Sequence, residues 1–363
     1  MSIHPLKETS MSGDPTLPAR VLLNAPAIGR RTLLARTACI GSVLAASAFI
    51  CADPAAAAPV TLKATHGTGL CNCPFFLVKE RDLAKGDGVQ LDFVTTPTNA
   101  DIAALFGAGV VDVSVVPYTN FMTLYDAGAP VKIVAGSGVQ GCVIVAQGGI
   151  NSAADLKGKT IGTFQADTLE MLPLDYLKKA GMSFADVKVR YFNTSPELAQ
   201  AFIGGNIDAM CHIEPYATQA LVSRKGAVKL SDGTDVYGPL YTDCVLAVRS
   251  KLIAENRPAV KALIKAMMVA QQQEEADRAA AVRQTTPKYF KTTFDAALDA
   301  ATKQPAMVDQ RKNQEFVLAR AQNLKDLRYI KALPSAAIFD WSMLEEVIAE
   351  NAPLYGSLSL KSA

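Results

Sequence analysis

The sequence predicts an α/β protein of two lobes, each a doubly wound sheet, with a helical C-terminal region. Three observations predict it. Strand-like and helix-like segments alternate over residues 60–135 and then restart over residues 142–248. Continuous apolar runs such as Val-Val-Asp-Val-Ser-Val-Val-Pro at 110–117 suit strands covered on both faces. After Ser250 the strands cease, and helix-like segments are parted by Pro287, Pro305 and Pro334.

In order, residues 60–64 read as a first strand. A glycine-spaced loop follows, Thr65-His66-Gly67-Thr68-Gly69-Leu70-Cys71-Asn72-Cys73, and leads to a helix over 74–83. Glycines between strand and helix let backbone amides approach a ligand, and the helix start adds a positive dipole end. Residues 90–95 alternate as a strand. Residues 99–107 read as a helix, 110–117 as a buried strand, 121–127 as a helix and 131–135 as a strand. The second set is a strand at 142–146, a short helix at 152–156 and a strand at 159–162. A helix at 168–180, a strand at 187–191, a helix at 195–203 capped by Ser195 and a strand at 207–211 follow. The set closes with a helix at 215–225 and strands at 228–230 and 242–248. Helices at 258–283, 294–301, 308–321 and 340–350 complete the chain.

The 363 residues are 50% hydrophobic, enough for two lobes with cores of their own. Residues 1–58 hold five of the 36 basic and three of the 34 acidic residues, which leaves 31 of each beyond them. A neutral body without basic runs argues against nucleic acid as a partner. Within 1–58, Gly29-Arg30-Arg31-Thr32-Leu33-Leu34 precedes an apolar stretch at 38–50 and the small residues Ala55-Ala56-Ala57-Ala58. That is the layout of an export signal, and the paired arginines resemble the twin-arginine class. Cleavage near Ala58 and a soluble periplasmic product are expected.

Four motifs then carry a resemblance. Residues 152–162 (Ser-Ala-Ala-Asp-Leu-Lys-Gly-Lys-Thr-Ile-Gly) resemble a signature of bacterial solute-binding proteins of nitrate, sulfonate and taurine ABC importers. Leu105-Phe106-Gly107-Ala108-Gly109-Val110-Val111-Asp112 and Phe202-Ile203-Gly204-Gly205-Asn206-Ile207-Asp208-Ala209 resemble that family's two glycine turns. Glu214-Pro215-Tyr216 resembles its acidic-Pro-aromatic corner. The resemblance implies a type II-like periplasmic binding protein whose two lobes close on a small molecule. It implies an export signal at 1–58, a first lobe at 59–146 plus 244–363 and a second at 147–243, with crossings near 143–146 and 244–248. Asp112 and Asp208 are read as turn-bonding residues. The implied partner is an ABC permease of the inner membrane, the implied state a monomer, and no cofactor is required.

Carried over residue by residue, the implied contacts are His66, Cys71, Asn72, Cys73, Tyr118, Thr119, Cys142, Gln165, Thr168, Cys211, Glu214 and Tyr241. Gln165 and Thr168 precede a helix whose amides suit an anion. The departure from the family is cysteine. Beyond residue 58 the chain holds Cys71, Cys73, Cys142, Cys211 and Cys244, all at predicted loops or strand ends near the cleft, with His66 and His212. Disulfides are one reading, with Cys71–Cys73 or Cys142–Cys244 as pairs. A soft metal ion held by Cys71, Cys73, Cys211 and His212 is the other.

The sequence-based function is capture of a sulfonate-like or nitrate-like anion or a small organic molecule, without catalysis. The alternatives are metal uptake, sensing or chaperoning, and an enzyme that resembles pyrimidine synthases. The last uses a contiguous cysteine run, which Cys71-Asn72-Cys73 does not supply.

Overall fold

The computed structural model describes residues 59–96 and 99–362. The export signal falls on residues 1–58 and lies outside the described residues. The first lobe begins with β1 (Val60–His66), α1 (Cys73–Glu80), β2 (Val89–Phe93), α2 (Asn99–Gly107), β3 (Val113–Pro117), α3 (Tyr118–Asp126) and β4 (Val131–Gly136). The second holds β5 (Cys142–Ala146), β6 (Thr160–Thr163), α4 (Thr168–Lys179), β7 (Lys188–Tyr191), α5 (Ser195–Ile203), β8 (Ala209–Ile213), α6 (Tyr216–Ser223), β9 (Val228–Ser231) and α7 (Thr234–Tyr237). The chain returns through β10 (Cys244–Arg249). It ends in α8 (Ser250–Glu255), α9 (Arg257–Ala276), α10 (Arg278–Thr285), α11 (Phe294–Ala300), α12 (Gln314–Asp326), α13 (Ser342–Glu350) and α14 (Ala352–Ser357).

Each lobe is one five-stranded sheet, ordered β2-β1-β3-β10-β4 and β7-β6-β8-β5-β9. The sheets are mixed, and in the same way. β1 runs parallel to β2 and β3, and β6 runs parallel to β7 and β8. The strand that enters each sheet from a crossing, β10 or β5, is antiparallel to both neighbours. Along β10 the side chains alternate: Leu246 and Val248 enter the core under α9, and Val245 and Ala247 the core under α12. The core under α9 includes Leu62, Phe75 and Phe76, all 1% exposed or less. Burying side chains of this kind contributes about 1.5–3 kcal/mol each before chain entropy is counted. Asp112 and Asp208 repeat one device in the two lobes. The Asp112 carboxylate accepts from Lys63 N at 3.0 Å, and that of Asp208 accepts from Thr160 N at 2.8 Å. Both acids are structural, as expected, but each ties the turn before its strand to the neighbouring strand's backbone rather than bonding within its own turn.

Three expectations need correction. β5, expected in the first lobe, pairs with β8 and β9 of the second. The crossings therefore run through residues 137–141 and 240–243, ahead of the strands expected to form them. Ser195 is not the cap of α5. Thr194 is, accepting from Glu197 N, because its extended backbone aims the hydroxyl back at the helix start. The helix expected over 258–283 breaks at Asp277, which leaves helical dihedrals and accepts from Ala280 N at 2.9 Å. Among the described residues no helix is long and apolar enough to cross a membrane.

Candidate functional site

The two crossings lie side by side. Val139 and Thr242 form an antiparallel bridge, Gln140 N donates to Tyr241 O at 2.8 Å, and Cys244 N donates to Gly138 O at 3.2 Å. Residues 305–308 add a third pass, with Val139 N donating to Pro305 O at 3.1 Å and Met307 N to Ser137 O at 2.7 Å. Two glutamines brace the passes. Gln310 accepts from Thr242 Oγ1 at 2.7 Å and donates to Gly138 O at 3.3 Å. Gln304 donates to Gln140 O and to Asp243 Oδ2, each at 3.0 Å. Gly141, at φ +83°, leaves the room Gln304 fills.

Beside these crossings lies a cleft with about 560 Å³ of empty space, partly open to solvent. The loop after β1 forms one wall with Thr68, Cys71 and Asn72, and Asn120 of α3 adds to it. Phe164, Asp167, Thr168, Ser195 and Ile213 form the wall from the second lobe, and Asp243 and Cys244 form the floor. Hydrogen bonds join the lobes around it, among them Thr68 Oγ1 to Ser195 Oγ, Asn120 Nδ2 to Ala166 O and Leu70 N to Glu214 O, each at 2.9 Å. Among the described residues, no lysine, arginine or histidine lines it. A wider outer chamber, about 1380 Å³ and open to solvent, shares Thr68, Ile102 and Ser195 with the cleft. His66, Phe93 and Tyr289 line it, as do Lys79, Lys288 and Lys291.

The electrostatics of the inner cleft are acidic. Asp243 is buried and takes a full set of donors. Oδ1 accepts from Thr168 Oγ1 at 2.7 Å and faces the Cys142 thiol at 3.5 Å. Oδ2 accepts from Gln304 and faces the Cys244 thiol at 3.3 Å. Burial holds its carboxyl above the usual range. Asp167 is the N-cap of α4, with Oδ1 accepting from Leu169 N at 3.1 Å. Its backbone carbonyl takes the amides of Glu170 and Met171. The helix start expected to receive an anion is thus filled by the chain's own carboxyl. Burial pushes Asp167 up to about 7, and no hydrogen bond from the described residues reaches its Oδ2.

Of the expected contacts, Cys71, Asn72 and Thr168 line the inner cleft and His66 the outer chamber. The others do not reach it, each for a local reason. Cys73 opens α1 and turns into the first lobe's core beside Glu274 and Thr285. Tyr118 lies in the core against Phe316, Thr119 is buried, and Gln165 is exposed. Cys142 sits behind the floor, and Cys211 faces the second lobe's core. The Glu214 carboxylate accepts from Thr218 N and Oγ1 at 2.9 Å each. Tyr241 OH donates to Asp232 O at 2.9 Å. His212 stacks on Tyr216 and bonds Ser195 O at 2.9 Å, and burial pushes it down to about 4. The set Cys71, Cys73, Cys211 and His212 is therefore not assembled. All five described cysteines are free, buried thiols, and neither expected disulfide pair forms. The close pair is Cys71 and Cys244, with Sγ atoms 2.9 Å apart. Ile102, Val116, Asn120, Phe164 and Ser195 are lining residues outside every loop expected at the cleft, and Asp167 and Asp243 lie inside two of those loops without being singled out. Asp167 carried the one available signal, an acidic cap before an apolar helix.

The buried acids set a pH dependence. Burial pushes Asp167, Glu214 and Glu274 up to about 7 from 3.8–4.5. Between about pH 4 and pH 7 the folded protein then holds more protons than the unfolded chain, so these groups lower stability as pH rises. His212 works in the opposite sense, and only below its ordinary value of 6.5. A lower melting temperature at about pH 8 than at about pH 5.5 is expected by scanning calorimetry. A flat or rising profile would contradict the buried-acid arrangement.

A family model described as "NMT1/THI5 like" matches residues 72–277. A Brucella abortus protein whose name calls it a binding protein is 34% identical over 121 residues, 33% of this chain. The match spans 38% of that curated relative's length. Among solved structures, the periplasmic aliphatic sulphonate binding protein of Escherichia coli aligns with a TM-score of 0.66 at 20% identity. That alignment covers 78% of this chain and 92% of the other. The periplasmic nitrate-binding protein of Synechocystis PCC 6803 aligns with a TM-score of 0.68 at 15% identity, over 84% and 92%. At these identities the structural likeness is one of fold.

Proposed function

Because the chain belongs to the NMT1/THI5-like family, we propose that it captures a small solute between its lobes in the periplasm and delivers it to an ABC permease. The observation that carries this reading is the cleft itself. It is hinged on paired crossings at one side and bonded across by Thr68–Ser195 and Asn120–Ala166 at the other. Lobes so joined close on a ligand by a small rotation about the crossings. The reading is of capture without turnover, since the buried thiols stay protonated at neutral pH and His212 is held by Ser195.

The ligand class follows from the charges. The names of the two structural neighbours point to sulfonate and nitrate. An anion in this inner cleft would face Asp167 and Asp243 with no lining cation to offset them. A neutral or cationic small organic molecule with N–H donors fits better. Its N–H would meet Asp167 Oδ2, and amidines or aminopyrimidines supply such an N–H for a charge-assisted hydrogen bond.

A thermal-shift panel tests this. Benzamidine, guanidine and 4-aminopyrimidine stand for the donor class, and methanesulfonate and nitrate for the anions. A donor at a hundredfold excess over its Kd adds about 2.7 kcal/mol of stability, several degrees in melting temperature. The anions leave it unchanged. Stabilisation by the anions alone would overturn the ligand class, and turnover of a bound ligand would overturn capture.

A further inference from the structure

We propose that Cys71, Cys244 and Asp243 form a site for a divalent cation of the zinc–cadmium type at the floor of the cleft. Their ligand atoms all lie within 4.8 Å of one another. The Cys71 and Cys244 sulfurs are 2.9 Å apart, and the Cys244 sulfur is 3.3 Å from Asp243 Oδ2. Two thiolates and a carboxylate are a donor set for borderline or soft divalent ions rather than for calcium or magnesium.

The three residues come from separate stretches that the fold locks together. Cys71 lies in a single 3₁₀ turn at Leu70–Asn72, Asp243 ends the second crossing, and Cys244 opens β10. Ser137 Oγ donates to Cys71 O at 2.5 Å, Asn72 Nδ2 donates to Cys71 Sγ at 3.3 Å, and the Cys71 backbone packs on Gly138. Thr168 and Gln304 hold the Asp243 carboxylate in place. Around a tetrahedral ion with bonds of about 2.3 Å, two sulfurs stand about 3.8 Å apart. Binding therefore opens the pair by about 1 Å, within reach of a small side-chain rotation.

Binding balances as M²⁺ plus two thiols giving M(SR)₂ plus two protons, with no change of oxidation state. The Asp243 carboxylate is itself a ligand, so the two protons leave through the cleft to solvent. All three residues line the cleft, so the ion enters from there and its remaining position faces the cavity. Among the described residues no cationic side chain lines the cleft to repel it, and Asp167 adds a second acid nearby. Neither Cys73 nor Cys211 is among the ligand atoms that lie within 4.8 Å of one another, so neither belongs to the cluster. The site does not rest on the importer reading.

The test uses the full chain, reduced, desalted without oxygen and titrated with Cd²⁺. One equivalent is expected to bind, with an ultraviolet thiolate–cadmium band and release of about two protons per ion. Cys71→Ser and Cys244→Ser each remove the band while circular dichroism stays unchanged. Cys73→Ser and the double variant Cys39→Ser/Cys51→Ser keep it. X-ray absorption at the cadmium edge of the wild-type complex, which needs no variant, reads two sulfur neighbours with oxygen in the rest of the shell. Absence of the band, its survival in both Cys71→Ser and Cys244→Ser, or a four-sulfur shell overturns the site.

Discussion

Asp167→Asn lowers affinity for an amidinium or aminopyrimidine ligand by roughly 10- to 100-fold, the worth of one charge-assisted hydrogen bond. The side chain keeps its size and its Oδ1, so the cap on Leu169 N survives and α4 stays in place. What changes is Oδ2, the oxygen that no described donor occupies. Asparagine offers either an N–H or an uncharged oxygen there, and both are poorer partners for a ligand N–H. Isothermal titration of wild type and variant at about pH 8, where Asp167 is largely ionised, reads the difference. At about pH 5.5 the gap narrows for a cationic ligand, because wild-type Asp167 is then largely protonated. Equal affinities at the higher pH would remove Asp167 from the ligand's contacts.

Gly138→Ala has the largest expected effect on stability. A Cβ at that position would stand 2.4 Å from Cys71 Cα and 2.5 Å from Cys71 Cβ. The first of these is backbone, so no side-chain rotation relieves it, and either the crossing or the loop after β1 must move. Overpacking of this kind costs about 1–3 kcal/mol or more, several degrees in melting temperature for a chain of this size. Because Cys71 is a cleft wall, ligand affinity falls with it. Gly86→Ala is the control. No atom lies within 4 Å of a Cβ there and its φ is unstrained, so calorimetry should find it neutral within about 0.5 kcal/mol. Equal melting temperatures for the two variants would mean that the crossing does not press on Cys71.

Some of the cleft was legible in the order of residues. The glycine-spaced loop after β1 does form its wall, and Thr168 does sit at the start of α4 facing it. The cysteines were legible only in part, and the reason is side-chain direction. Cys71 and Cys73 are two residues apart, yet Cys71 lies in a 3₁₀ turn and Cys73 opens a helix, so one thiol faces the cleft and the other the core. Cys211 and His212 are neighbours on β8, where successive side chains leave on opposite faces. Proximity in sequence was no guide to sharing a site in either case.

The acidic character of the cleft was not legible at all. Asp167 looks like any helix cap and Asp243 like any residue before a strand. Their facing each other depends on where the second crossing passes the start of α4, which the tertiary fold sets.

The sequence by itself determined the two α/β lobes, their order and the helical C-terminal region. These follow from the periodicity of apolar residues and from local backbone chemistry, which act over a few residues at a time. Only the tertiary structure decided that β5 belongs to the second sheet and that Cys71 meets Cys244 rather than Cys73. It also decided that two carboxyls, with no lining cation, hold the floor and wall of the cleft. Those outcomes depend on contacts across as many as 173 positions, made where the crossings bring distant backbone together.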